Sequence, residues 1–254
     1  MRIGLFGGSF NPIHNAHIAL GTTMLSAMSL DEVWYLVSPR NPLKQHSTDL
    51  LDEEVRLHLT RLALEDYPRL RASDYEFHLP RPSYTWNTLQ HLRQDYPQHE
   101  FVLIIGGDNY EKFHKWAHYQ DILDNYEIAV YPRSNGNDNG NGNGDGNGNG
   151  NGNGNLKPSN TKPQTSNLKP QTSNLKPQTT NTKPQTSKLK TSKLKTQNSK
   201  PQTTNHKPQL HIIHVPLLPI SSTMIRNKVR LGEDIRPYVP LKVALEVEKL
   251  SLFR

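Results

Sequence analysis

The sequence predicts an α/β protein: a doubly wound parallel sheet forming a single domain, interrupted by one long insertion of different composition. Three observations predict it. Short apolar runs alternate with amphipathic stretches along most of the chain, the pattern of repeated βα units. The best of those runs, Phe101-Val-Leu-Ile-Ile105, is continuously apolar rather than alternating, as a strand covered on both faces requires. Residues 134–209, by contrast, are low-complexity sequence with too little apolar surface to build a core.

The elements follow in order. An apolar strand, Arg2–Phe6, runs through Gly7-Gly8-Ser9 into a helix over Asn15–Met28. Glu32–Val37 is a second strand, and Asp52–Asp66 a helix. Leu70–Ser73 reads as a strand, and Ser83-Tyr-Thr-Trp-Asn-Thr-Leu89 opens an amphipathic helix, Tyr84–Tyr96. Phe101–Ile105 is a buried strand ending in Gly106-Gly-Asp-Asn109. A helix over His118–Asn125 leads to strand Glu127–Tyr131. Beyond the insertion come strand His211–Val215 and helices Thr223–Leu231 and Leu241–Leu250. Ligands of such sheets bind beyond the carboxyl ends of the strands. Gly7–His17, Ser38–Lys44, Gly106–Asp108 and residues 216–226 all fall at such ends.

The formal charge of +7 invites a nucleic-acid reading. It comes from one place. Residues 134–209 hold eleven Lys and two Asp, a net of +9, so the rest of the chain carries −2. That segment alternates Asn and Gly over 135–155, then repeats Lys-Pro-Gln-Thr-Ser-Asn-Leu with Lys162, Lys169, Lys176 and Lys183 in register. A proline in each repeat forbids a helix, so the seven-residue period is no coiled coil. The expectation is a disordered insertion, 134–209, within a discontinuous domain of residues 1–133 and 210–254. It fills one inter-strand connection, where extra length costs little entropy. The remaining 178 of 254 residues suffice for one domain. There is no cysteine, no apolar run of membrane-spanning length and no secretory leader pattern at Met1. A cytoplasmic enzyme without a membrane or nucleic-acid partner is expected.

Two motifs carry chemistry. Gly8-Ser-Phe10, Pro12, His14 and His17 combine a glycine-rich strand-to-helix turn with two histidines on one face of the first helical turn. Backbone N–H groups there, with the helix N-terminus, suit a phosphate. A plain strand–turn–helix with solvated histidines is the bland alternative. Ile220-Ser-Ser-Thr-Met-Ile-Arg226 is the second motif: a helix start with three candidate caps and an arginine. Alone, it would read as an ordinary capping box with a surface arginine.

Together the two motifs resemble the GxFxPxHxGH and ISSTxIR signatures of the nucleotidylyltransferase superfamily. Ala16 stands where that pattern usually has glycine, and its methyl is expected to crowd the adenine slightly; Asn11 stands where many members have Asp. Three more segments, Pro39-Arg-Asn-Pro-Leu-Lys44, Ser83–Leu89, and Gly106–Asn109 followed by Trp116, resemble the bacterial nicotinate mononucleotide adenylyltransferases. The resemblance covers residues 1–133 and 210–254. It implies a Rossmann-like fold and adenylyl transfer from ATP, with Mg²⁺, to nicotinate mononucleotide. It implies an ATP site of Gly7, Gly8, Ser9, Phe10, His14, His17, Gly106, Asp108, Ser221, Ser222, Thr223 and Arg226. It implies an acceptor site of Asn11, Lys44, Tyr84, Thr85 and Trp116, Trp116 stacking on the pyridinium ring. His14, His17, Lys44 and Arg226 would act on the phosphates, and no cage of protein side chains would hold the metal. Asp108 would reach the metal's waters or a ribose hydroxyl, or else cap a helix starting at Asn109. Chemistry would be positioning and charge stabilisation, without a covalent nucleophile.

Other polar residues read as ordinary surface. Arg56, Arg61, Arg69 and Arg71 are expected on an exposed helix and strand edge, and His58, His78, His91 and His99 in solvent. Nicotinamide mononucleotide or phosphopantetheine remain alternative acceptors. A non-catalytic nucleic-acid or surface-binding protein using the basic repeat is the alternative of another class.

Overall fold

A computed structural model describes residues 1–39, 49–132, 209–215 and 218–254. Strands β1 (Arg2–Gly8), β2 (Glu32–Val37), β3 (Leu70–Ser73), β4 (Glu100–Gly106), β5 (Glu127–Tyr131) and β6 (Leu210–Ile212) form one sheet. Its order is β3-β2-β1-β4-β5-β6, with every neighbouring pair parallel. The order reverses between β1 and β4, the switch point beyond whose carboxyl ends such sheets bind their ligands.

Helices α1 (Asn15–Ala27), α2 (Glu53–Leu64), α3 (Thr85–Asp95), α4 (Gly107–Glu111), α5 (Tyr119–Asn125), α6 (Ser222–Arg230) and α7 (Leu241–Lys249) complete the described architecture. The two faces of the sheet can be read residue by residue, because strand side chains alternate. Val102 and Ile104 of β4 join Ile18 and Met24 of α1, Leu57 of α2, Ile225 of α6 and Val243 and Val247 of α7 in one core. Phe101, Leu103 and Ile105 join Leu89 and Leu92 of α3 and Ile122 of α5 in the other. Both faces are therefore covered, the reason these strands are continuously apolar.

Four of the predicted strands needed adjustment at an end or not at all. Glu32–Val37, Leu70–Ser73 and Glu127–Tyr131 stand as expected, and β4 gains one residue at each end. β1 runs two residues further than expected, because Gly7 and Gly8 pair with Leu36 and Val37 of β2. These glycines end the strand, and the turn proper begins at Ser9. β6 is shorter than expected and begins one residue earlier; one further bond, Ile213 N–H to the Val130 carbonyl (2.8 Å), extends it. The short α4 begins two residues before the Asn109 start considered for it, and two 3₁₀ turns, Tyr75–His78 and Phe113–Lys115, are additional to the expected elements. Each is at most five residues long, too short for a helical period to register.

The expected insertion, residues 134–209, lies outside the described residues apart from Gln209, whose carbonyl accepts from the Ile128 N–H (3.0 Å). The strands flanking it in sequence, β5 and β6, are parallel neighbours in the one sheet. No helix among the described residues is long and apolar enough to cross a membrane.

Candidate active site

The turn after β1 brings the first motif to this switch point. Phe10 has φ of 45°, a left-handed conformation costing on the order of 1–2 kcal/mol for a residue with a Cβ. Its ring, only 2% exposed, packs edge-on against Phe6 (5.5 Å between centroids) and His17 (5.2 Å) and covers Gly8. A Cβ on Gly8 would lie 2.9 Å from that ring, whereas a Cβ on Gly7 would meet nothing within 4 Å. Phe10 is thus a core residue that shapes the turn, and open space at the strand end lies over Gly7.

His14 ends the turn as the N-cap of α1, and His17 follows one turn in. Their rings stack at 3.6 Å between centroids, 23° from parallel. His14 is buried and His17 half-buried. The His14 backbone N–H donates to Nδ1 of His17 (3.3 Å). With Nδ1 accepting, the neutral ring carries its proton on Nε2, so His17 presents a donor from that edge. The helix turn behind it is held by Tyr35, whose hydroxyl donates to the His17 carbonyl (2.9 Å). Burial, helped by Tyr131 and Tyr67, pushes the Tyr35 hydroxyl far above its ordinary pKa, so it remains a donor. Gly21 is required here: a Cβ would lie 2.1 Å from the Tyr35 hydroxyl oxygen.

The second motif docks directly on the first. Ser221 caps α6, its hydroxyl accepting from the Met224 N–H (3.1 Å). Ser222 donates its hydroxyl to the Pro12 carbonyl (2.9 Å). Arg226, 6% exposed, donates to the Asn11 carbonyl (2.9 Å) and to the Thr223 hydroxyl (3.2 Å), with Nε 4.0 Å from the Asp49 carboxylate. Asp49 in turn pairs with Arg230 (2.8 Å). Residues more than two hundred apart in sequence are joined, so the histidine turn and the α6 start form one structural unit.

Asn11 is buried and turned toward residues 49–51. Its amide donates to the Asp49 carbonyl (2.8 Å), and its carbonyl oxygen accepts from the Leu51 N–H (3.2 Å). Lys44 lies outside the described residues. Asp108 is in the first turn of α4, which begins at Gly107 with Gly106 as N-cap, so the expected cap of a helix starting at Asn109 is replaced. Its Oδ1 folds back over Gly106, 2.6 Å from where a Cβ there would lie. Gly106 therefore makes room for the Asp108 carboxylate.

On the other side of β4, Tyr84 is the N-cap of α3 and 43% exposed, with Thr85 the first helical residue. Trp116 is half-buried against Phe113 (5.0 Å between ring centroids). The Trp86 and His118 rings stack at 5.4 Å, bringing the start of α3 beside the chain just after Trp116.

Two functional-looking residues escaped the sequence reading. Arg56 is not on an exposed surface: it is fully buried. Its Nε donates to the Leu51 carbonyl (2.9 Å), Nη1 to those of Ser9 (2.7 Å) and Ser38 (2.8 Å), and Nη2 to that of Pro39 (2.8 Å). Burial pushes the guanidinium down to about 10, with Glu53 and Asp52 opposing, and it stays charged at neutral pH. Arg61, Arg69 and Arg71 are exposed as expected.

The second is Glu76, 6% exposed, which accepts from the Thr88 hydroxyl of α3 (3.0 Å) and from Ser38 after β2. Burial pushes its carboxyl up from the ordinary 4.5, with the two hydroxyls opposing. Its stabilising contribution is full below the ordinary carboxylate range and is lost as pH rises through the raised value. Glu76→Gln, neutral throughout, should therefore gain on the wild type between pH 4 and pH 9, the more so the further the carboxyl is raised. Thermal melts at the two pH values check this; a gap independent of pH contradicts it.

Comparison with known proteins gives the family. The cytidylyltransferase-like family model matches residues 5–228. The chain is 36% identical to the probable nicotinate-nucleotide adenylyltransferase of Flavobacterium johnsoniae, with 96% of this chain and 94% of that protein covered. It is 52% identical over 132 residues to its counterpart in Bacteroides fragilis, covering 52% of this chain and 65% of that one. The solved nicotinic acid mononucleotide adenylyltransferase of Plasmodium falciparum, complexed with NaAD, matches at a TM-score of 0.62, covering 99% of this chain and 97% of that one. At 15% identity that likeness shows the fold. The chain belongs to the cytidylyltransferase-like family and, within it, to the nicotinate-nucleotide adenylyltransferases.

Proposed function

We propose that this protein transfers the adenylyl group of ATP to nicotinate mononucleotide, giving nicotinate adenine dinucleotide (NaAD) and pyrophosphate, a step of NAD biosynthesis. The observation that carries the proposal is the joining of the two motifs, with Ser222 on the Pro12 carbonyl and Arg226 on the Asn11 carbonyl, around the stacked His14–His17 pair. The 5′-phosphate of the acceptor attacks the α-phosphorus of ATP in line, and pyrophosphate leaves with the bonding electrons. His17, its proton on Nε2, donates to the α-phosphate as charge develops there. His14 shares that task, and Arg226, one turn into α6, holds the β- and γ-phosphates. Ser221 and Thr223 shape that helix start, with Ser222 tying it to the turn. Lys44 acts on the incoming phosphate. Thr85, Tyr84 and Trp116 form the pyridine side.

Mg²⁺ enters with ATP in this reading. A carboxylate at a strand end suits an ion that keeps most of its waters and its phosphate ligands. Asp108, folded over Gly106, fits and would hold it. When bound, the ion neutralises charge on the phosphate oxygens. Without cysteines, the chain suits a reducing cytoplasm.

An acceptor panel tests the proposal. Pyrophosphate release from ATP is measured with nicotinate mononucleotide, nicotinamide mononucleotide and phosphopantetheine. The expected result is a kcat/KM for the nicotinate form at least about tenfold above the others, ~1.4 kcal/mol of transition-state discrimination. A preference for phosphopantetheine, or no release with any acceptor, overturns it.

A further inference from the structure

We infer that Arg56 is a positioning residue for adenylyl transfer: its guanidinium holds the histidine-bearing turn after β1 against the end of β2. The inference rests on the function proposed above and concerns a residue that never meets substrate, being fully buried.

The geometry is specific. One nitrogen, Nη1, draws together the carbonyls of Ser9 (2.7 Å) and Ser38 (2.8 Å), which belong to different loops. The other two nitrogens take Pro39 (2.8 Å) and Leu51 (2.9 Å). Four carbonyl dipoles therefore point at one cation, and without it they would face one another unpaired. Beyond Ser9, the chain continues through Asn11, whose side chain also grips Leu51, to His14 and His17. What the guanidinium supplies is a planar fork reaching three segments at once. A lysine ammonium is a single point of donation and cannot span them. Loosening the Ser9 loop would shift His14 and His17 relative to the α-phosphorus, which costs orientation in the transition state more than binding in the ground state.

Arg56→Lys and Arg56→Ala test this, with turnover expressed per folded molecule from circular dichroism and thermal melts. Arg56→Lys should lower kcat by about 30-fold or more while the KM for ATP changes less than about threefold. In Arg56→Ala, ethylguanidinium should restore kcat at least about tenfold and saturably, whereas ethylammonium should not. Arg56→Lys with wild-type kcat per folded molecule overturns the inference, whatever its Tm, as does ethylguanidinium that raises Tm without raising kcat. Should Arg56→Ala not fold, Arg56→Lys decides alone. Wild-type protein in the same assay separates the two readings. No turnover by wild type defeats the proposed reaction, while normal turnover in both wild type and Arg56→Lys defeats only the positioning role.

Discussion

His17→Ala should lower kcat by ~10²–10³, the usual cost of removing one preorganised donor to a developing oxyanion. The KM for ATP should change much less. The reason lies in which edge of the ring is already used. Nδ1 accepts from the His14 N–H, so the neutral ring carries its proton on Nε2, the donor that the proposed reaction uses. The ring also stacks on His14 and meets Phe10 edge-on. Losing those contacts costs about 0.5–1.5 kcal/mol, so Tm should fall by only a few degrees. A residue kept purely for packing would show the opposite: a lower Tm with normal turnover per folded molecule. His17→Asn sharpens the test, because its amide keeps a donor without a ring that can become positive. Recovery of most of the rate would assign the effect to hydrogen bonding; behaviour like alanine would assign it to imidazolium charge or ring placement. Wild-type turnover in both variants would remove His17 from the site.

Arg226→Ala should damage activity and fold together, and the two losses have separable origins. The guanidinium is 6% exposed and donates to the Asn11 carbonyl. Leaving that buried acceptor unpaired costs ~1–3 kcal/mol, which for a domain of this size lowers Tm by roughly 2–12 °C. Loss of a charge-assisted partner for the phosphates should lower kcat/KM for ATP at least about 100-fold, ~2.7 kcal/mol. Arg226→Lys keeps the charge but not the fork, and should regain part of the activity with less of the stability. Arg230→Ala is the control. It is one turn further along α6 and pairs with Asp49 (2.8 Å) at 39% exposure, so its effect should be several-fold at most. Equal losses in the two variants would show that Arg226 has no role toward the phosphates beyond that of any nearby positive charge.

Most of the fold was legible because β2, β4 and β5 are buried on both faces and so spell themselves out as unbroken apolar runs. The place of the site was legible for the same reason: once the strands are placed, Gly8, Asp108 and Ser222 fall at their carboxyl ends. What sequence could not convey was the partner of each polar side chain. Arg56 lies among Glu53, Glu54 and Arg61 and looks like a charge on a solvated helix face; its four acceptors are backbone carbonyls, which leave no trace in residue identity. Glu76 is hidden for a similar reason, since its 3₁₀ turn has no period and Thr88 and Ser38 are far from it in the chain. Phe10 and Ser222 belong to the nucleotide motifs, yet their side chains are engaged inside the protein, one in the core and one on the Pro12 carbonyl. The motif marks the place, and the fold decides which of its side chains turn inward.

The central claim is that the bond broken lies between the α- and β-phosphates of ATP and that the acceptor receives the adenylyl group. Parallel reactions with ATP labelled at the α- or the γ-phosphate, each with nicotinate mononucleotide, test it most directly. The α-label should appear in NaAD and the γ-label wholly in pyrophosphate, with the two products formed in equal amounts. Gamma-label on the acceptor, or its release as inorganic phosphate without dinucleotide, would contradict it.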